Sequence, residues 1–420
     1  MSPSAAGKGL TTGGRAGPRL ASFASGLGMA VFSFLTIRHF FEANYPDSIF
    51  AGSFCDISAF FNCNSSAYSS LSVFMDVPLG VPGLVIGVLV MLGAVFPSEP
   101  LERTNRLVAL INGFGVVALF LLSVFVLGSL CLLCTGYYVA SLISLWLFWK
   151  YAPGRGEWHP GGNMVRWFHP SLLHLAAFAL FGIATAWGFA EYHAARRDAQ
   201  TGGAAARFVR QYYELPEVEW PSAISPFRTA SATTRFYEAP IQIVEYADLL
   251  CSDCRILYEQ LKRLKPEFEG KITVAFQFFP LDAECNQVVE KDKHPGACEL
   301  SYMAAHDPDL FLTVHDRVFE NPEAAKDPAW RAELAHELGL EGAVNDPVTI
   351  AAVHRQIETG REYDRTSDEY AHGIRSTPTM IINQRMVIGT FPDAHMRALF
   401  HALLDEAEEG DRGFLENWVD

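Results

Sequence analysis

The first half of this chain has little charge. Residues 1–190 carry only 9 Lys+Arg and 7 Asp+Glu, and residues 107–149 carry none at all. So long an uncharged stretch excludes a solvated surface. Basic excess is missing from the second half: of the chain's 32 Lys+Arg and 47 Asp+Glu, residues 191–420 keep 23 and 40. An acidic balance of that size argues against nucleic-acid binding, which needs basic residues to neutralise phosphate. Lys and Arg are also absent from the loop Tyr45–Asp76.

What fills the first half is apolar. Five runs approach the ~20 residues needed to cross a ~30 Å hydrocarbon core: Leu20–Ile37, Val77–Phe96, Leu107–Gly128, Cys131–Trp149 and Leu172–Ala190. The uncharged stretch 107–149 is too long for one span and must turn inside itself, with Gly128-Ser129 as the break. Lys8, Arg15 and Arg19 precede the first run, Arg103 and Arg106 lie between the second and third, and Lys150, Arg155 and Arg166 follow the fourth. The positive-inside rule then puts the N-terminus in the cytoplasm. The loop 45–76, the turn at Gly128 and the C-terminal half fall on the outer side. The first run reads as a retained signal anchor, since no small-x-small cleavage site follows it. Residues 1–19 read as a disordered cytoplasmic tail.

Eight cysteines fall in four close pairs: Cys55/Cys63, Cys131/Cys134, Cys251/Cys254 and Cys285/Cys298. All lie on the outer side in this topology, where thiols are expected to be paired or redox-active. Two Cys-x-x-Cys pairs also match a four-thiolate zinc site in spacing. One of them heads a lipid-facing run and the other sits in a separate domain, so no metal is expected.

In the C-terminal half, Ile241-Gln-Ile-Val-Glu-Tyr-Ala reads as a central strand. It leads into Cys251-Ser-Asp-Cys254 at the head of a helix. A second strand spans Lys271–Phe279. Thr377-Pro378, a strand, a turn at Asn383-Gln384, a second strand and a helix from about Asp393 complete the pattern. A helix N-terminus stabilises a thiolate, which marks Cys251 as nucleophile and Cys254 as resolving thiol. Asp253 opposes that stabilisation and predicts a milder oxidant. Cys285 and Cys298 read as a structural disulfide, and His294 as a loop residue rather than a ligand.

This order of elements resembles the thioredoxin fold, and the mostly helical block 297–372 makes it similar to the DsbA-type subgroup. That resemblance implies a cis peptide at Pro378, beside the active dithiol. The motif Cys55-Asp56, with Cys63 and Cys131-x-x-Cys134, resembles the vitamin K epoxide reductase family. The whole chain is similar to its bacterial members, in which a four-helix bundle is joined by a fifth span to a thioredoxin-like domain.

The resemblance implies a disulfide relay ending in a quinone, ubiquinone or menaquinone. Cys134 would be the thiol nearest the ring and Cys131 its partner, with Cys55/Cys63 as the shuttle pair. Tyr138 matches a ring-side hydroxyl, though Tyr137 and Tyr138 also suit interfacial anchors. Ser69, or equally Ser70, matches the family's serine after the loop cysteines. An Asn used by animal members has no counterpart in the second run, which favours quinone reduction over epoxide reduction. Pro78 and Pro82 read as helix-start geometry.

The expected fold is thus a membrane all-α bundle of four helices plus a fifth span, followed by an α/β thioredoxin-fold domain with a helical insertion. The expected divisions are a tail over 1–19, the membrane domain over 20–150, the cytoplasmic loop and fifth span over 151–195, a linker over 196–235, the thioredoxin-like domain over 236–410 and a tail over 411–420. The expected function is a thiol oxidase of the bacterial inner membrane that makes disulfides in exported proteins. Its partners would be reduced exported proteins, the quinone pool and the lipid bilayer, with no nucleic acid. Two alternatives stand beside it: a membrane-anchored isomerase or reductase, and a non-redox anchored module binding unfolded chains.

Overall fold

The computed structural model of the protein describes residues 10, 16–45, 63–127, 130–151, 171–199, 203–230, 235–289, 292–363 and 374–409. The chain divides into two compact bodies: Met1–Glu42 with Ser66–Arg197, and Ala43–Ser65 with Asp198–Asp420.

The first body is helical. In chain order come α1 (Ala16–Asn44), α2 (Cys63–Tyr68, whose first residues belong to the second body), a two-residue hairpin β1 (Val73–Phe74) and β2 (Val77–Pro78), α3 (Gly80–Val95), α4 (Glu99–Leu122), α5 (Leu132–Lys150) and α6 (Leu172–Ala199). A π-helical turn over Ser123–Leu127 prolongs α4. Four of these helices, α1, α4, α5 and α6, are long and apolar enough to cross a membrane. The second expected run is shorter than anticipated. Val77 and Pro78 pair antiparallel with Val73 and Phe74, so the helix begins only at Gly80. Its 16 residues rise about 24 Å, less than a ~30 Å hydrocarbon core.

Lipid-type surface is visible side chain by side chain. Phe114 is 71% and Phe125 78% exposed, and no residue in the most apolar stretch of α6 is buried. Helix contacts inside the body use small residues, as helices packed without a hydrophobic driving force do. A Cβ on Gly87 would lie 2.6 Å from Ala30 N and 2.8 Å from Gly26 O. The expected disordered tail is corrected at its end: Ala16–Arg19 open α1, and the Arg19 guanidinium donates to Ala94 O at 3.0 Å. Leu10 is buried and its N–H donates to Glu102, which also pairs with the buried Arg106 at 3.2 Å.

The second body holds a five-stranded sheet in the order β3-β5-β4-β6-β7, formed by β3 (Arg228–Ala230), β4 (Ile241–Ala247), β5 (Ile272–Phe278), β6 (Thr379–Ile382) and β7 (Arg385–Ile388). β4 and β5 are parallel, and β3, β6 and β7 join antiparallel. β4 and β5 are covered on both faces, which is why they read as near-continuous apolar runs. The β6–β7 turn puts Asn383 at φ 38° and Gln384 at φ 63°. Two consecutive positive φ values are what a tight two-residue hairpin requires, and Asn383 accepts Gln242 N–H at 2.8 Å to seat the turn on β4.

Helices α7 (Ala205–Glu214), α8 (Ser252–Leu264), α9 (Ala297–His306), α10 (Phe311–Glu320), α11 (Pro328–Leu338), α12 (Pro347–Arg361) and α13 (Asp393–Glu409) surround this sheet. Tyr246, Phe268, Phe276, Phe278, Phe279, Phe311 and Phe400 are fully buried at its centre. The stretch 196–235, read from sequence as linker, supplies α7 and β3 to this body. α7 buries Phe208, Val209, Tyr212 and Tyr213 on one face, and the Tyr212 hydroxyl donates to Ile382 O at 2.6 Å.

Candidate functional site

Two dithiols sit at the heads of two helices, and their local geometry is the same. Cys131 caps α5 with φ −76° and ψ 123°, and its sulfur accepts the Cys134 N–H at 3.4 Å. Cys251 caps α8 with φ −76° and ψ 122°, and its sulfur accepts the Cys254 N–H at 3.4 Å. In each case Cys-x-x-Cys folds this way because the first cysteine takes the extended cap conformation while its side chain satisfies an orphan amide of the first turn. The first sulfur is thereby held at the positive end of the helix dipole. All four of these cysteines carry free thiols.

Around the α5 dithiol, Cys131 is buried and Cys134 half-buried. The hydroxyls of Ser66 and Thr36 lie within hydrogen-bonding reach of Cys134. The hydroxyl of Ser69 accepts Leu71 N–H at 3.0 Å and caps the turn Ser70–Ser72. Tyr138 is buried one turn beyond Cys134, with Ser123 in reach of its hydroxyl. The neighbouring Tyr137 hydroxyl donates to Asn112 at 2.7 Å. Asn112 lies in α4. Pro82 lies in the first turn of α3, where its missing N–H costs nothing. Cys63 is buried and disulfide-bonded; Cys55 lies outside the described residues.

The α8 dithiol is more enclosed, with Cys251 6% and Cys254 0% exposed. The Cys251 thiol donates to Thr377 O at 3.3 Å, and the Thr377–Pro378 peptide is cis. Cys254 accepts Asp248 N–H at 3.5 Å. Asp248 is wholly buried: its carboxylate accepts Leu250 N–H and Leu281 N–H, both at 2.6 Å, and meets His294 Nδ1 at 2.7 Å. His294, read from sequence as a plain loop residue, is therefore part of the surroundings of the dithiol. Burial opposes its charge, but the Asp248 carboxylate and Cys251 hold its pKa above the ordinary imidazole value.

Burial pushes the Cys251 thiol up; the hydrogen bond with Cys254 and the charge of His294 more than offset it, so its pKa lies below an ordinary thiol's. Asp253 and Asp248 act in the opposite direction and more weakly. Cys254 is held well above the ordinary thiol value by burial and by its bonded partner. The two thiols are thus divided into one that ionises readily and one that does not. Glu245 is 3% exposed on β4, and burial pushes its carboxyl up to about 8. It lines a cavity of about 210 Å³ together with Thr229, Lys265 and His315.

Cys285 and Cys298 form a disulfide across the segment that carries His294. That segment is pinned further by Asp282, whose carboxylate accepts Gly296 N–H at 2.9 Å and Cys298 N–H at 3.3 Å. Gly296 has φ +94°, and a Cβ there would strike the Arg331 guanidinium at 2.6 Å.

Residues 19–149 match the vitamin K epoxide reductase family, and residues 237–402 match a thioredoxin family. No curated protein matches the chain at a significant level. Solved structures similar to it include Proteus mirabilis ScsC in a transitional conformation, at 13% identity, covering 55% of this chain and 96% of that one with a TM-score of 0.34. Wolbachia pipientis alpha-DsbA1 is 16% identical, with 41% and 90% covered and a TM-score of 0.32. A periplasmic thioredoxin-like protein from Salmonella enterica serovar Typhimurium is 15% identical, with 40% and 86% covered and a TM-score of 0.32.

Proposed function

From a chain that joins a vitamin K epoxide reductase family domain to a thioredoxin domain, and so belongs among membrane oxidoreductases acting on thiols, we propose a quinone-dependent oxidase that makes disulfides in exported proteins. A client dithiol gives two electrons and two protons to the Cys251–Cys254 disulfide. The resulting dithiol reduces Cys55–Cys63, which reduces Cys131–Cys134, and that dithiol reduces a quinone to quinol. Each of the first three steps exchanges one dithiol for one disulfide through a mixed disulfide, and in the last the dithiol gives two electrons and two protons to the quinone, so no other reductant or oxidant is needed.

The observation that carries this reading is the repeated cap. The same dithiol geometry occurs once in a thioredoxin domain and once at the head of a helix long and apolar enough to cross a membrane. A lipid-soluble acceptor is reached only by a dithiol at membrane depth. The residues there suit a quinone as substrate: the hydroxyls of Ser66 and Tyr138 offer donors to ring oxygens beside Cys134. In the soluble domain Cys251 is the attacking sulfur, since its thiolate is the favoured one. The charge of Glu245 adds to what disfavours the Cys254 thiolate.

The test is a thiol count. The full-length protein in detergent is reduced, freed of reductant, given quinone, then alkylated and mapped by mass spectrometry. We expect Cys131, Cys134, Cys251 and Cys254 all to become protected from alkylation in the wild type. In Cys134→Ser the soluble dithiol is expected to stay alkylatable, because its electrons have no exit. Reoxidation of Cys251 and Cys254 by quinone in that variant would overturn the relay.

A further inference from the structure

We propose that His294 is a positioning residue for the attack by Cys251, supplying the positive charge that faces its sulfur, and that the Cys285–Cys298 disulfide holds it in place. The inference rests on the reading of Cys251 as the attacking thiol. His294 belongs to none of the dithiols and lies 46 positions from Asp248 in sequence, yet the fold bonds it to that carboxylate, whose own N–H reaches Cys254.

Three observations build the arrangement. Asp248 joins the two sides: its carboxylate meets His294 Nδ1 at 2.7 Å, its N–H reaches Cys254 at 3.5 Å, and its carbonyl accepts Cys251 N–H at 3.1 Å. Asp248 itself has no freedom to move, because two backbone amides, of Leu250 and Leu281, fix both carboxylate oxygens. The imidazole is fixed as well: Lys293 and His294 N–H groups both donate to Leu281 O at 3.1 Å, and the disulfide and Asp282 close the segment on either side. A buried carboxylate alone would raise the cost of a nearby thiolate. Paired with an imidazolium it becomes an anchor for the opposite charge.

The charged and titratable groups around His294 are Asp248 at the end of β4, Cys251 on α8 and Lys293 on its own segment. Around Cys251 they are Cys254, Asp253, Asp248, His294 and, from β4, Glu245. His294 is the single cation in the second set, so removing it leaves the Cys254 hydrogen bond alone against burial and the carboxylates. A structural histidine would leave the thiolate unaffected.

The test is the pH profile of iodoacetamide alkylation at Cys251, read by peptide mapping of the reduced full-length protein. In His294→Gln the midpoint is expected to rise by about one pH unit, which is about tenfold slower alkylation at pH 6. His294→Lys, which returns a positive charge beside Asp248, is expected to recover at least half of that loss. The double variant Cys285→Ala with Cys298→Ala keeps His294 but frees its segment, and is expected to shift the midpoint in the same direction as His294→Gln. An unchanged midpoint in His294→Gln overturns the proposal. Should that variant fail to fold, an unchanged midpoint in the double variant overturns the clamp. Preferential alkylation of Cys254 in the wild type would instead overturn the assignment of the nucleophile, and is seen before any variant is compared.

Discussion

At the scale of single residues, Glu245 is a buried acid in the thioredoxin-type domain. It sits in the middle of β4, six positions before Cys251, with both faces of the strand covered. Among the described residues its carboxyl has no hydrogen-bond partner, and burial raises its pKa to about 8 from an unperturbed 4.5. An acid whose folded pKa is raised loses stability as pH climbs from the unfolded value to the folded one. The loss is complete above pH 8 and amounts to something on the order of 5 kcal/mol. Glu245→Gln is therefore expected to raise the melting temperature of the protein at pH 9 and to change it little at pH 4. Equal shifts at both pH values would contradict the account.

Single residues also mark the limit of what could be read without the fold. The four Cys pairs are visible because their spacing is local. Glu245 lies in a strand whose other residues are nearly all apolar, so the pattern hides it. Asp248 and His294 meet only because β4 and the segment after β5 end on the same side of the sheet. The clue in the sequence was an acid three positions before Cys251 and a histidine inside the Cys285–Cys298 loop, and nothing local joins them. The expectation that Asp253 opposes the Cys251 thiolate left out His294 for the same reason.

At the scale of elements, the membrane helices and the central strands were legible from apolar runs, while short pieces were not. α3 is cut short because Val77 and Pro78 are taken into a hairpin. α7 and β3 were hidden in a polar stretch: α7 has only 10 residues and β3 only 3, and β3 exists by pairing with β5. The close approach of α1 and α3 is likewise a matter of which glycines face each other. Gly87→Val would push a branched side chain into Ala30 N and Gly26 O, an overpacking that typically costs ~1–3 kcal/mol. Gly188→Ala in α6 meets nothing within 4 Å and serves as its control. We expect Gly87→Val to melt several degrees lower in detergent and Gly188→Ala to match the wild type; equal melting of the two would show that the helices do not pack through Gly87.

At the scale of the whole molecule, the chain places a thioredoxin-type dithiol and a membrane dithiol in one polypeptide. Tethering makes their meeting intramolecular, so the relay would not depend on finding a partner by diffusion. Reversing the flow, to keep exported thiols reduced, would require an electron supply from the cytoplasm, and the sequence has no cysteine in its expected cytoplasmic loops to receive one. A non-redox binding module would have no use for two dithiols with the same cap geometry.

These readings separate most directly in one assay: quinone absorbance followed with purified full-length protein in detergent and a reduced unfolded peptide as electron donor. The wild type should consume quinone as the peptide becomes oxidised, two thiols per quinone, and Cys134→Ser and Cys251→Ser should each fall to background. If the peptide is oxidised or bound while quinone stays untouched, the membrane dithiol is not the electron exit and the account fails.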